Sequence, residues 1–103
     1  MLRRVTSHEV WDVAKRRLNE LRHLPFATLA TMPPHIYESE TIRGREISVA
    51  VWIDRLPDSR VRVVSQTYLH RFLGIGTMAA EGFIVSEDGS QADVPEEMMW
   101  EFI

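Results

Sequence analysis

Apolar residues recur at every second position along two neighbouring stretches, Ile47-Ser48-Val49-Ala50-Val51-Trp52-Ile53 and Val61-Arg62-Val63-Val64-Ser65-Gln66-Thr67-Tyr68, with Leu56-Pro57-Asp58-Ser59 between them. A period of two sends successive side chains to opposite faces of a sheet, and the Pro-Asp-Ser cluster supplies a reversal, so the pair predicts a β-hairpin with one strongly apolar face. Parity then fixes that face, because a slip of one residue would turn the branched aliphatics of one strand toward water. A three- or five-residue loop satisfies it. Ile53 is expected opposite Val61 and Val51 opposite Val63 on the inner face, with Trp52 across from Arg62 and Asp54 across from Arg60 on the other.

Toward the N-terminus the period becomes helical. Thr6-Ser7-His8-Glu9 has the form of a capping box, after which Val10, Trp11, Ala14, Leu18 and Leu21 recur on one face until Pro25. This predicts a helix over about 7–23 that lays its apolar stripe on the inner face of the hairpin. Phe26 to Met32 reads as either a strand or an extended connection, since Pro33-Pro34 cannot lie inside a central strand. Ile36 to Ile42 alternates and reads as an edge strand, and Gly44 offers the positive φ that a tight reversal needs. Glu81-Gly82-Phe83-Ile84-Val85-Ser86 predicts a last strand with Glu87-Asp88-Gly89-Ser90 as its turn. Asp93-Val94-Pro95-Glu96-Glu97 opens a short C-terminal helix or docking tail.

The expected fold is therefore α+β, an N-terminal helix packed on one face of a three- to four-stranded antiparallel sheet. Its order of elements is similar to that of helix-on-sheet rolls of the cystatin or nuclear-transport-factor type, a likeness of architecture that implies no function. The 103 residues suit a single domain, with a core over about 6–90 and an acidic, aromatic segment over 91–103. A composition of 45% hydrophobic and 26% charged residues is that of an ordinary globular chain. The short apolar runs predict neither a membrane span nor a secretory signal.

Cysteine is absent, which removes disulfides, thiolate metal sites and cysteine nucleophiles and makes a reducing, cytoplasmic setting the expectation. The net charge of −3 argues against nucleic acid as a partner, although the charge is unevenly placed. Arg3, Arg4, Lys15, Arg16, Arg17 and Arg22 outnumber Glu9, Asp12 and Glu20 over residues 1–22. Residues 81–103 carry only acids. The two ends are therefore able to attract each other, within one chain or between copies. The arginine-rich face of the helix lacks the interleaved aromatics of a nucleic-acid surface and reads as a solvated face.

Candidate chemistry is sparse. Gly74-Ile75-Gly76-Thr77-Met78-Ala79 matches the dinucleotide pattern G-x-G-x-x-A, but Glu81-Gly82 follows where a helix is required, so a loop with Phe72, Leu73 and Ile75 under the sheet edge is the expectation. His8, His23, His35 and His70 lack metal-ligand spacing, and no metal or cofactor is expected. Ser7-His8-Glu9 places triad residue types on diverging helix directions and is a cap. Glu38 and Glu40 share a strand face and read as edge charge.

Two surfaces remain. Trp52, Arg62, Val64 and Tyr68 lie on the sheet face that one helix cannot cover, so the C-terminal segment, a second subunit or a ligand must shield it. Met98, Met99, Trp100, Phe102 and Ile103 form a tail suited to docking in a groove. The reading is a noncatalytic cytoplasmic interaction module that self-associates as a homodimer and meets a protein partner through Trp52/Tyr68 or the tail. The alternative is a small-molecule binder or an enzyme of isomerase or dehydratase kind, using His70, Arg71 and Tyr68 in a pocket between helix and sheet.

Overall fold

Helix α1, Ser7–Arg22, opens on the capping box that Thr6 and Glu9 encode. The Glu9 N–H donates to Thr6 Oγ1 at 3.1 Å and the Thr6 N–H donates to Glu9 Oε1 at 3.1 Å, so each side chain satisfies the other residue's backbone donor. The computed structural model describes residues 4–70 and 76–102, apart from the side chain of Trp100. The buried stripe of α1 is Val10, Val13, Ala14, Leu18 and Leu21. Trp11, expected in that stripe, is 37% exposed: spacings of three and four from Val10 select Val13 and Ala14, and leave position 11 at the flank.

Phe26–Thr31 forms a second helix, α2, where a strand or an extended connection was expected. Leu29 N–H donates to Pro25 O at 3.1 Å and the Leu29 side chain is fully buried. A helix this short draws its stability from packing rather than propensity.

The strands are β1 (His35–Ile42), β2 (Arg45–Arg55), β3 (Val61–His70), β4 (Gly76–Val85) and β5 (Gln91–Asp93), an antiparallel meander in sequence order. The α+β class is as expected, with five strands where three or four were predicted. The extra length comes from β5, which has too few residues to show a period, and from the first half of β4. Gly76, Thr77, Met78 and Ala79 of the dinucleotide-like pattern are strand residues paired with β3, so no helix follows the glycines. Gly74 and Ile75, like Arg71, Phe72 and Leu73, lie outside the described residues.

Turn geometry sets the register. Arg43 and Gly44 both have positive φ, 45° and 79°, giving the two-residue reversal that pairs Ile42 with Arg45. Leu56–Arg60 and Ser86–Ser90 share one design: the first residue's N–H donates to the fifth residue's carbonyl, and the fourth residue takes positive φ, 72° at Ser59 and 87° at Gly89. In each, a central Asp accepts from the backbone N–H two residues on, Asp58 from Arg60 and Asp88 from Ser90. The central hairpin therefore turns about Asp58. Its pairs are Ile53 with Val63 and Asp54 with Arg62, a correction of two residues to the expected register. A shift of two preserves parity, so the assignment of faces stands.

The inner face carries Ile47, Val49, Val51, Ile53, Val61, Val63, Leu69, Phe83 and Val85, all buried beneath α1 and α2. Thr67 lies among them, and its hydroxyl donates to Val10 O at 2.9 Å, pinning the helix to the sheet. After β5 the chain makes two 3-10 turns, Glu96–Met98 and Trp100–Phe102, and lays them on the other face. No helix among the described residues is long and apolar enough to cross a membrane.

The β1–β2 turn also clamps the start of α1. Arg43 Nη2 donates to Glu9 Oε1 at 2.6 Å and to Arg4 O at 3.2 Å. The Arg43 guanidinium, with the Thr6 N–H, holds the Glu9 carboxyl at about 2 against an ordinary 4.5. A carboxyl lowered in the folded state adds stability that is complete above its ordinary value and is lost as pH falls through the folded value. Thermal melts between pH 5 and about 2 are expected to show this loss, and Arg43→Ala to shrink it by letting the carboxyl return toward 4.5. Superimposable acid profiles for the two proteins would show that this contact does not clamp the helix.

Candidate functional site

Even-numbered residues of β2 and β3 face away from the helices, which brings Trp52 and Asp54 beside Arg62, Val64 and Gln66. Odd-numbered residues of β1 share that face, and the β1–β2 register sets His35 directly across from Trp52. The two rings stack with centroids 3.5 Å apart and planes 13° from parallel, and Tyr37 meets His35 edge-on at 3.9 Å. Tyr37 itself is 73% exposed.

Arg62 organises the rest. Its Nε and Nη2 donate to the two Asp54 oxygens at 2.9 and 2.7 Å, Nη1 donates to Met98 O at 2.9 Å, and Nη2 pairs with Glu101 at 2.6 Å. The guanidinium also lies over the Phe102 ring, 5.0 Å from its centroid. Asp54 above all, then Glu101, hold Arg62 more firmly protonated than an ordinary arginine. Gln66 adds a second tie, accepting from Trp52 Nε1 at 3.2 Å and donating to Phe102 O at 2.6 Å. Phe102 is buried against Val64 and Ala80, with Trp52 and Met99 packed beside them. The tail thus covers the sheet face that the helices leave open.

Between the tail and the β1–β2 end of the sheet a cleft of about 490 Å³ remains, walled by Pro34, His35, Trp52, Gln66 and Phe102, with Arg62 and its two acids alongside. His35 Nε2 is buried and makes no hydrogen bond. What the cleft offers is aromatic surface, because its amide and guanidinium groups are already engaged within the chain.

Of the residues singled out from sequence, Trp52 and Phe102 wall this cleft, Arg62 and Val64 are buried beneath the tail, and Met98 and Met99 lie half-buried within it. The Trp100 side chain lies outside the described residues. Tyr68 and His70 lie farther along β3 on the same face, turned away from α1, with rings 5.3 Å apart. They do not border the cleft, and Arg71 is outside the described residues. A Cβ at Gly76 would overlap the Tyr68 ring, so glycine makes room for that tyrosine. Glu38 and Glu40 face the helix side, where Arg17 Nη2 donates to Glu38 at 2.8 Å and Arg16 pairs with Glu40. His35, Gln66 and Glu101 were not selected from sequence. The Arg43-Gly44 turn was the available signal for His35, because it alone sets what opposes Trp52. Among the described residues no cluster of His, Asp and Glu has a metal-binding arrangement.

Comparison with family models, curated proteins and solved structures finds no match.

Replacing Arg62 with Met keeps the stem but removes every tie to Asp54, Met98 and Glu101. Urea unfolding is expected to show a loss of about 1–3 kcal/mol, and hydrogen exchange to show residues 96–102 opening before β3. Protection of 96–102 equal to that of β3 in this variant would mean that the guanidinium does not hold the tail.

Proposed function

We propose that this chain is a noncatalytic interaction module that self-associates and receives an apolar or aromatic group of a protein partner in the cleft beside Trp52. The observation that carries this reading is the composition of the cleft: a His35–Trp52 stack and Phe102 form its walls, while Arg62 and Gln66 are committed to holding the tail. Large, rigid aromatic surfaces beside an arginine are the groups that dominate binding energy at protein interfaces. The C-terminal segment enters as one wall of the receiving site, with Met99 and Phe102 turned inward and Glu96 and Glu97 outward. A cytoplasmic setting belongs to the same reading, on the strength of a chain without cysteine.

One observation favours a second reading, a small-molecule binder. A cleft of about 490 Å³ falls in the range that accommodates small ligands. Tyr68 and His70 would have no part in it, since they lie outside the cleft.

Peptide display against the folded chain, with Trp52→Ala as the counter-target, separates these readings. Selected peptides are expected to share an aromatic or large aliphatic anchor and to lose about 2 kcal/mol, some thirtyfold in affinity, against Trp52→Ala. Peptides that bind both proteins equally would remove the cleft as the receiving site. A selection that yields no peptides, together with saturable binding of small aromatic fragments, would favour the small-molecule reading.

A further inference from the structure

β1 is one of the two edge strands of the sheet, and its backbone parity can be read from a single bond: Ile53 N–H donates to Pro34 O at 3.0 Å. Hydrogen-bonded and non-bonded pairs alternate along an antiparallel ladder, so Ile36, Glu38, Glu40 and Ile42 bond to β2. The two-residue turn closing on Ile42 and Arg45 agrees. The N–H and C=O groups of His35, Tyr37, Ser39 and Thr41 therefore point away from the sheet. Tyr37, Ser39 and Thr41 are exposed, and no proline or bulge interrupts the strand. Such an edge is a template for another strand. The opposite edge is less open: β5 pairs with Phe83–Val85, and Trp11, Val94 and Met99 gather around Ala80–Gly82. Moreover, among the described residues, two of the three buried side-chain polar atoms without a hydrogen bond are His35 Nε2, on β1 itself, and Nε of Arg17, whose Nη2 donates to Glu38 of β1.

We propose that the β1 edge is where a second copy of this chain docks, antiparallel, with the two-fold axis through Tyr37. This deepens the self-association in the reading above by naming its surface and register. Charge selects that register. An axis through Glu38 would oppose Glu38 to itself, one through Ser39 would oppose Glu38 to Glu40 twice, and one through Glu40 would oppose Glu40 to itself. Like charges directly opposite are destabilising. An axis through Ile36 leaves only residues 35–37 to pair before Pro34 and Pro33 are reached, against 35–39 for one through Tyr37, and an axis through Thr41 runs into the Arg43-Gly44 turn. With the axis through Tyr37, each Tyr37 exchanges backbone bonds with Tyr37 of the second copy and each His35 with Ser39. Glu38 then faces Ile36, so no two carboxylates lie directly opposite, and both stay part-exposed to solvent beside Arg17 and Arg16.

Sedimentation equilibrium of the intact chain is expected to give twice its 12.0 kDa mass. Tyr37→Pro removes an outward N–H and leaves the β2 ladder intact, so it is expected to give a folded monomer. Because the chain has no cysteine, register is read directly: Tyr37→Cys is expected to cross-link on mild oxidation, since a bonded pair sets Cα atoms about 5.5 Å apart. Ser39→Cys, about 14 Å from its mate by strand rise, is expected not to cross-link. A monomeric wild-type chain, a series of sizes growing with concentration, or equal cross-linking of both cysteine variants would each overturn the proposal. If Tyr37→Pro fails to fold, the cysteine pair still decides. Failure here leaves the cleft reading standing, because peptide binding that depends on Trp52 is measured without reference to mass.

Discussion

Arg62 is the contact on which the second side of this molecule depends. A meander of five strands has two faces, and α1 and α2 cover only one. On the other, Arg62 is 11% exposed along its side chain, and a buried guanidinium is tolerable only when its donors are matched. The sequence meets that demand from two directions. Asp54 comes from the neighbouring strand by register, and Met98 O and Glu101 come from the tail. Satisfying the cation therefore requires the tail to lie where it does, and Phe102 is carried with it onto Val64 and Ala80. The resulting small second core leaves the cleft as the uncovered remainder.

What could be read beforehand follows the range over which each signal acts. The α1 helix and the inner face of the hairpin were legible because a period of 3.6 or 2 extends over many residues, and the Thr6–Glu9 box marks the start. The register was not, since the turn was centred on Pro57 although Ser59, not a glycine, takes the positive φ. Ser59 is an uncommon choice there, in a turn that Asp58 braces by accepting from the Arg60 N–H as Asp88 does from Ser90. The difference of two residues sets Arg62 opposite Asp54, where Trp52 was expected. That single step separates an arginine at an open aromatic surface from one that anchors a tail. β5 and α2 were missed for the opposite reason: three and six residues are too few for periodicity, and their states are decided by what packs on them.

The site was half legible. Trp52 and Phe102 follow from composition and parity, since large apolar groups stranded on a sheet face need cover. His35 and Gln66 do not, because their importance comes from which residue lies opposite or two strands away. Isolated histidines are commonly surface groups, and only the β1–β2 pairing distinguishes this one, stacked flat against an indole, from His8 on the exposed start of α1.

His35 also joins the two proposed surfaces. Its ring walls the cleft through the Trp52 stack, while its backbone groups belong to the free edge of β1. A strand added along that edge would hold the His35 backbone through Ser39 of the second copy, and so restrain the ring in the orientation that shapes the cleft. The buried, unbonded Nε2 lies at this junction. Edge and cleft are thus physically contiguous through one residue, and ordering of the first would reduce the freedom lost when the second is filled.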